Sequence, residues 1–173
     1  DQLFSDYVVE NILAGQHENI REFLLKTCVL DDLDPAVCRH LSDMENAGAI
    51  LATLTCNGLF TQRRAGRDQY RYHKLFSSTL RQLLVKTQPD LARLQHRKAS
   101  EWLLAHQRPR RAAEHALAAG DSVAAATMIE EIVLAAIYHS ELAAVVRWSA
   151  SIPEQLKANL PNLQSACAWA HVL

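Results

Sequence analysis

One stretch of this chain, residues 59–72, interrupts a helical pattern that otherwise runs along its whole length. That interruption narrows the fold more than any other feature. Leu59-Phe60-Thr61-Gln62-Arg63 and Gln69-Tyr70-Arg71-Tyr72 alternate as strands do. Arg64-Ala65-Gly66-Arg67-Asp68 joins them, a loop of hairpin length with a glycine where positive φ is expected. Upstream, Leu3, Phe4, Tyr7, Val8, Ile12 and Leu13 predict a helix ended by Gly15. A second helix over 18–27 places Ile20, Phe23 and Leu24 on one face. Asp34 can N-cap and Pro35 suits the first position of a short helix over 35–41. Another helix is predicted from Asp43, carrying Ala47, Ile50, Leu51 and Leu54 until Asn57-Gly58 closes it. Helix returns over 74–86. Short helices followed by a two-stranded hairpin make a winged-helix arrangement, with the hairpin as the wing.

Beyond Pro89 the composition shifts. Residues 112–150 hold thirteen alanines in 39 positions, and alanine on facing helices lets their axes approach closely. Helices are predicted over 90–106, 110–119, 122–137, 140–151 and 162–173. The breaks between them are Gln107-Arg108-Pro109, Gly120-Asp121, His139-Ser140 and Ile152-Pro153. The expected fold is therefore mostly α. A winged-helix domain over 1–88, with its hairpin at 59–72, precedes an α-superhelical, TPR-like array of antiparallel helices over 89–173. The chain opens at Asp1 and stops inside a helical pattern at Ala168-Trp169-Ala170-His171-Val172-Leu173, as expected of a piece truncated at both ends.

Several function classes lose their footing. No apolar run approaches the roughly 18 residues of a membrane span, and no signal peptide is visible. Cys28, Cys38, Cys56 and Cys167 are scattered without a CxxC pair and read as small buried apolar residues of a reducing, cytoplasmic setting. The histidines other than His73 show no metal-ligand spacing. No nucleophile–base constellation supports an enzyme. Charge is uneven: residues 1–50 carry ten acidic and three basic side chains, residues 62–111 thirteen basic and three acidic, residues 112–173 six acidic and two basic. The basic middle is either an anion footprint or a surface neutralised by its own acidic flanks.

A set of motifs then points to one family. Glu22-Phe23-Leu24-Leu25-Lys26-Thr27-Cys28-Val29-Leu30-Asp31-Asp32-Leu33, Asn57-Gly58-Leu59-Phe60, and Tyr70-Arg71-Tyr72-His73-Lys74-Leu75-Phe76 occur in order. His96-Arg97-Lys98-Ala99-Ser100-Glu101-Trp102 and Glu114-His115-Ala116-Leu117-Ala118-Ala119-Gly120-Asp121 follow. Together, over residues 1–135, they resemble the large ATP-dependent LuxR-type transcriptional activators. These are relatives of the maltose regulon activator, in the signal-transducing class of P-loop ATPases.

The resemblance implies a winged helix plus the start of a helical sensor, taken from a larger regulator. This chain has no GxxxxGK[ST] phosphate loop and no recognisable LuxR helix-turn-helix. It implies that the chain is not itself an enzyme and holds no cofactor, whereas the parent binds ATP or ADP. The implied partners are the nucleotide-binding domain of the same chain and an inducer or regulatory protein on the helical array. DNA would be reached through a C-terminal helix-turn-helix outside this chain, and the parent would self-associate. His73, at the strand-to-helix junction, is implied to face the β-phosphate of bound ADP in the intact protein. Arg63, Arg64, Arg67, Arg71 and Lys74 are candidates for phosphate or domain contact. Two other readings stay open on the residues: a stand-alone helical-repeat interaction module, and a winged-helix DNA binder.

Overall fold

The computed structural model describes residues 13, 15–56, 58, 61–63 and 69–172, with backbone alone at Arg63, His171 and Val172. The chain divides into two compact units, 1–98 and 99–173. Residues 1–12 of the helix predicted at the start, Leu59 and Phe60 of the first predicted strand, and the loop 64–68 lie outside the described residues.

In the first unit, α1 (Glu18–Thr27) buries Phe23, Leu24 and Thr27. Helix α2 (Pro35–Ser42) starts as its sequence predicts: the Asp34 carboxylate accepts from the Ala36 N–H at 2.8 Å, and Pro35 fills a position that has no N–H to satisfy. Helix α3 (Ala47–Cys56) begins four residues later than the prediction at Asp43. Asp43 instead closes α2 in the left-handed region, φ 61°, with its N–H on the Arg39 carbonyl. Aspartate tolerates that conformation better than most side chains.

Strands β1 (Thr61–Arg63) and β2 (Tyr70–Tyr72) pair antiparallel, with Thr61 opposite Tyr72 and Arg63 opposite Tyr70. Alternation on β2 is clean: Tyr70 and Tyr72 point into the core and Arg71 points out. The sequence does not announce a third partner. Leu33 bridges Tyr70 on the other edge, its N–H donating to the Tyr70 carbonyl at 2.7 Å and its carbonyl accepting from Tyr70 at 2.9 Å. The second strand of the wing is thus paired on both sides. Helix α4 (Lys74–Thr87) follows and buries Phe76, Thr79, Leu80 and Leu84. Phe23, Leu24, Leu33, Leu41, Leu51, Leu54, Phe76, Leu80 and Leu84 form the core of this unit. Each contributes roughly 1.5–3 kcal/mol by leaving water. Helix α5 (Pro89–Ala105) runs through the division between the units.

The second unit, 99–173, begins ten residues after the boundary expected at 89 and holds α6 (Pro109–Ala119), α7 (Ser122–Tyr138), α8 (Leu142–Ser151), α9 (Glu154–Lys157) and α10 (Pro161–Val172). Of these α9, a single turn after Pro153, was not predicted. Helix α7 is central and packs against α6, α8, α9 and α10. The core is built from Ala112, Ala113, Ala116, Ala125 and Ala126, closed by Ile129, Val133, Val145, Trp148 and Leu163.

Three successive turns close by one scheme. At Gln107, Gly120 and Ser140 the backbone is left-handed, with φ of 57°, 81° and 59°. In each, that residue's N–H bonds the carbonyl three residues back, and the next N–H bonds one four residues before the left-handed residue: Arg108 to Leu103, Asp121 to Ala116, Glu141 to Ala136. This satisfies carbonyls that helix ends leave open. Asp121 then caps α7 through the Ala124 N–H at 3.0 Å. Helix α10 is started from a distance. The two carboxylate oxygens of Glu130, on α7, accept from the Asn162 and Leu163 N–H groups at 2.7 and 3.0 Å.

Candidate functional site

His73 is the N-cap residue of α4, with φ −57° and ψ 139°, and its ring makes no capping bond to that helix. The side chain is exposed, as is that of Lys74. Extended backbone at Tyr72 ends the ribbon. The 14-residue helix starts at Lys74, so His73 holds the position next to first-turn amide groups whose dipoles favour an anion.

The backbone around His73 is held from beneath. The Tyr72 hydroxyl lies 2.8 Å from Thr27 Oγ1, which in turn donates to the Phe23 carbonyl at 2.7 Å. Burial pushes the Tyr72 phenol well above its usual range, so it stays a neutral donor. The Tyr72 ring meets Phe76 edge-on, with centroids 5.8 Å apart. Further along α4, Arg81 donates through Nε to the Cys28 carbonyl at 2.6 Å. Through Nη2 it donates to the Leu30 carbonyl at 3.0 Å and Asp31 Oδ1 at 2.7 Å. Sequence reasoning missed Arg81 and the Tyr72–Thr27 pair.

Of the basic candidates, Arg71 pairs with Asp32 at 3.3 Å. The backbone of Arg63 sits in β1, while Arg64 and Arg67 lie outside the described residues. The structure therefore brings Arg71, His73 and Lys74 to one end of the ribbon. Other cations of the basic middle pair with acidic flanks: Arg81 with Asp31, Lys98 with Asp43 at 2.9 Å, and Arg110 with Glu141. The hydrogen bond from Lys98 lowers the Asp43 carboxyl below its ordinary range. Four basic side chains of the middle, Arg71, Arg81, Lys98 and Arg110, are thus paired with acidic residues of the flanks.

Helix α3, the element that a DNA-reading winged helix would insert into a groove, is AGAILATLTC. It presents Ala49, Ala52, Thr53 and Cys56 to solvent and offers a phosphate no cation.

Cys28 and Cys38 are buried, and burial pushes the Cys28 thiol up to about 12 and the Cys38 thiol higher still. Cys56 departs from the sequence reading by being exposed, since α3 turns its last residue outward. Trp148 is a buried anchor beneath the Arg110 guanidinium, whereas Trp102 is half-buried and stacks on His106 with centroids 3.7 Å apart. Among the described residues no cluster of His, Cys, Asp or Glu is placed to hold a metal ion. No described helix is long and apolar enough to cross a membrane.

A family model described as the MalT winged helix domain matches residues 9–92. The chain is 35% identical over 175 residues to the HTH-type transcriptional regulator MalT of Cronobacter sakazakii, covering 95% of this chain and 18% of that protein. It is 34% identical over 174 residues to the protein of the same description from Klebsiella pneumoniae, with the same two coverages. It is also 28% identical over 169 residues to the serine/threonine-protein kinase PknK of Mycobacterium tuberculosis, covering 97% of this chain and 15% of the kinase. The chain thus spans less than a fifth of the length of these relatives.

Proposed function

This chain belongs, through residues 9–92, to the MalT winged helix domain family, and from that premise we propose that it is the switch-and-coupling segment of a MalT-like transcriptional regulator. Its wing would report the nucleotide state of an ATPase domain of the same protein to the helical array. Signal or partner binding on the array would bias the same equilibrium. The carrying observation is His73: an exposed imidazole at the N-terminus of a 14-residue helix, with no bond to that helix.

That arrangement suits a phosphate group. Helix amides and a ring N–H can donate to its oxygens, and the exposed Lys74 adds positive charge. ATP or ADP held by the ATPase domain would supply the phosphate. Arg63, Arg64, Arg67 and Arg71 would meet that nucleotide or the domain carrying it, with Arg71 exchanging its bond to Asp32 for the new contact. The relatives support a signalling rather than a DNA-reading role for this segment. It recurs in a protein described as a kinase and in others described as transcriptional regulators, so a shared input module is the simpler account. The uncharged exposed face of α3 agrees with this. DNA would be bound elsewhere in the regulator, in the cytoplasm.

On the array, α7 shows Val123, Leu134 and Tyr138 at 64%, 51% and 85% exposure. At 100° per residue they fall within about 60° of one another. These three exposed side chains, with Thr127 between Val123 and Leu134 on the same side, mark the surface on which an inducer or regulatory protein would act.

The test uses the longer regulator with its ATPase domain. His73→Ala should shorten ADP retention and raise basal activation. Unchanged retention and unchanged basal activation remove His73 from the mechanism.

A further inference from the structure

We propose that Tyr72, Thr27 and Arg81 are positioning residues for His73, tying the backbone on both sides of it to one short run, residues 27–33. The inference rests on the sensing role proposed for His73 and names what fixes that site.

On the strand side, Tyr72 immediately precedes His73. Thr27 Oγ1 commits its single proton to the Phe23 carbonyl, so in the 2.8 Å contact with Tyr72 it accepts and the phenol donates. One residue pair further back, Tyr70 exchanges both backbone bonds with Leu33. Across the junction, the Tyr72 ring lies against Phe76, so residues 72 and 76 straddle the turn that carries His73, much as a hydrophobic staple fixes the angle at which chain enters helix. On the helix side, Arg81 lies eight residues beyond His73, about 12 Å along the axis. Its guanidinium grips Cys28, Leu30 and Asp31.

The anchors lie on opposite sides of His73 in sequence yet converge on one segment. The junction can neither slide along the ribbon nor rotate about the helix axis without breaking at least one of them. The ring itself is left outside, free to meet a ligand. This is how a binding group on a short ribbon acquires the precision of a group on a rigid element.

Tyr72→Phe and Arg81→Lys test the idea on the 173-residue chain, with Ile50→Val on α3 as a packing control. The readout is the His73 ring proton–carbon correlation in NMR. Both test variants should shift and broaden that signal, and the control should leave it in place. If it stays unmoved in Tyr72→Phe, the proposal is overturned; should Arg81→Lys fail to fold, Tyr72→Phe decides alone.

In the longer regulator, Tyr72→Phe should speed ADP loss about fivefold, the scale of one hydrogen bond. That effect should vanish in the His73→Ala background. An equal acceleration in that background shows that Tyr72 acts by another route and overturns the proposal. A ring signal that moves in Tyr72→Phe, together with ADP retention indifferent to His73→Ala, supports the positioning and refutes only the sensing role.

Discussion

Replacing Arg81 with alanine should open the first unit where α1 hands over to α2. The wild-type guanidinium satisfies two backbone carbonyls, those of Cys28 and Leu30, and both residues are buried. Bonds from a charged donor contribute about 1.5–3 kcal/mol each. The third contact, to Asp31, is exposed and adds about 0–1 kcal/mol. Because the Arg81 side chain is itself 37% exposed, water can take over part of its work. Discounting the sum of about 3–6 kcal/mol by roughly a third for that screening leaves an expected loss of about 2–4 kcal/mol. With a urea slope of about 1.5–2 kcal/mol/M for a unit of this size, the midpoint should fall by about 1–2 M. All three tryptophans, Trp102, Trp148 and Trp169, fall in 99–173. The measurement therefore uses far-UV circular dichroism and amide exchange at residues 28–33. Arg81→Lys keeps the charge near Asp31 but lacks the fork that reaches two carbonyls, and should recover less than half of the loss. A shift below about 0.3 M for Arg81→Ala, or full recovery in Arg81→Lys, would refute the hydrogen-bond account.

Further outcomes concern the repeated turn and His96. Gly120→Ala places a side chain at φ 81° and should cost about 1–2 kcal/mol, while Ser140→Gly relieves the same conformation and should stabilise by about 0.5 kcal/mol; thermal melts of the two variants should move in opposite directions. His96 has its imidazole pKa held below the ordinary 6.5, by burial first and the Arg81 charge second. The unfolded chain therefore takes up its proton before the folded one. The stability that neutral His96 provides is complete above pH 6.5 and is lost as the pH falls from there through the folded value. His96→Gln should flatten that part of a stability–pH profile. NMR titration of Arg81→Ala should show the His96 midpoint moving up.

How much of this was legible depended on whether a feature is local. The Asp34-Pro35 start and the Gly120-Asp121 turn are local: the residues that need the geometry are the ones that signal it. The pairing of Thr61–Arg63 with Tyr70–Tyr72 was legible because the alternation around it contrasts with helix on either side. The Leu33–Tyr70 bridge was not, since one residue has no periodicity and its partner lies 37 positions away. Arg81 escaped for a related reason: its acceptors are backbone carbonyls, which carry no residue label. Gln107 and Ser140 adopt the conformation glycine would advertise, so the repeated turn scheme is invisible where it lacks glycine. His73 was placed by resemblance, and its surroundings only by coordinates.

The carboxylate of Glu130 has a consequence for the order in which the array assembles. Pro161, Asn162 and Leu163 open α10, and two of its free N–H groups find their acceptors on a helix 32 residues upstream. Until α7 stands in place, nothing from that direction closes the new turn, and a short helix with an open end is a poor nucleus. The first turn of α10 is therefore expected to close as it docks on α7 rather than before.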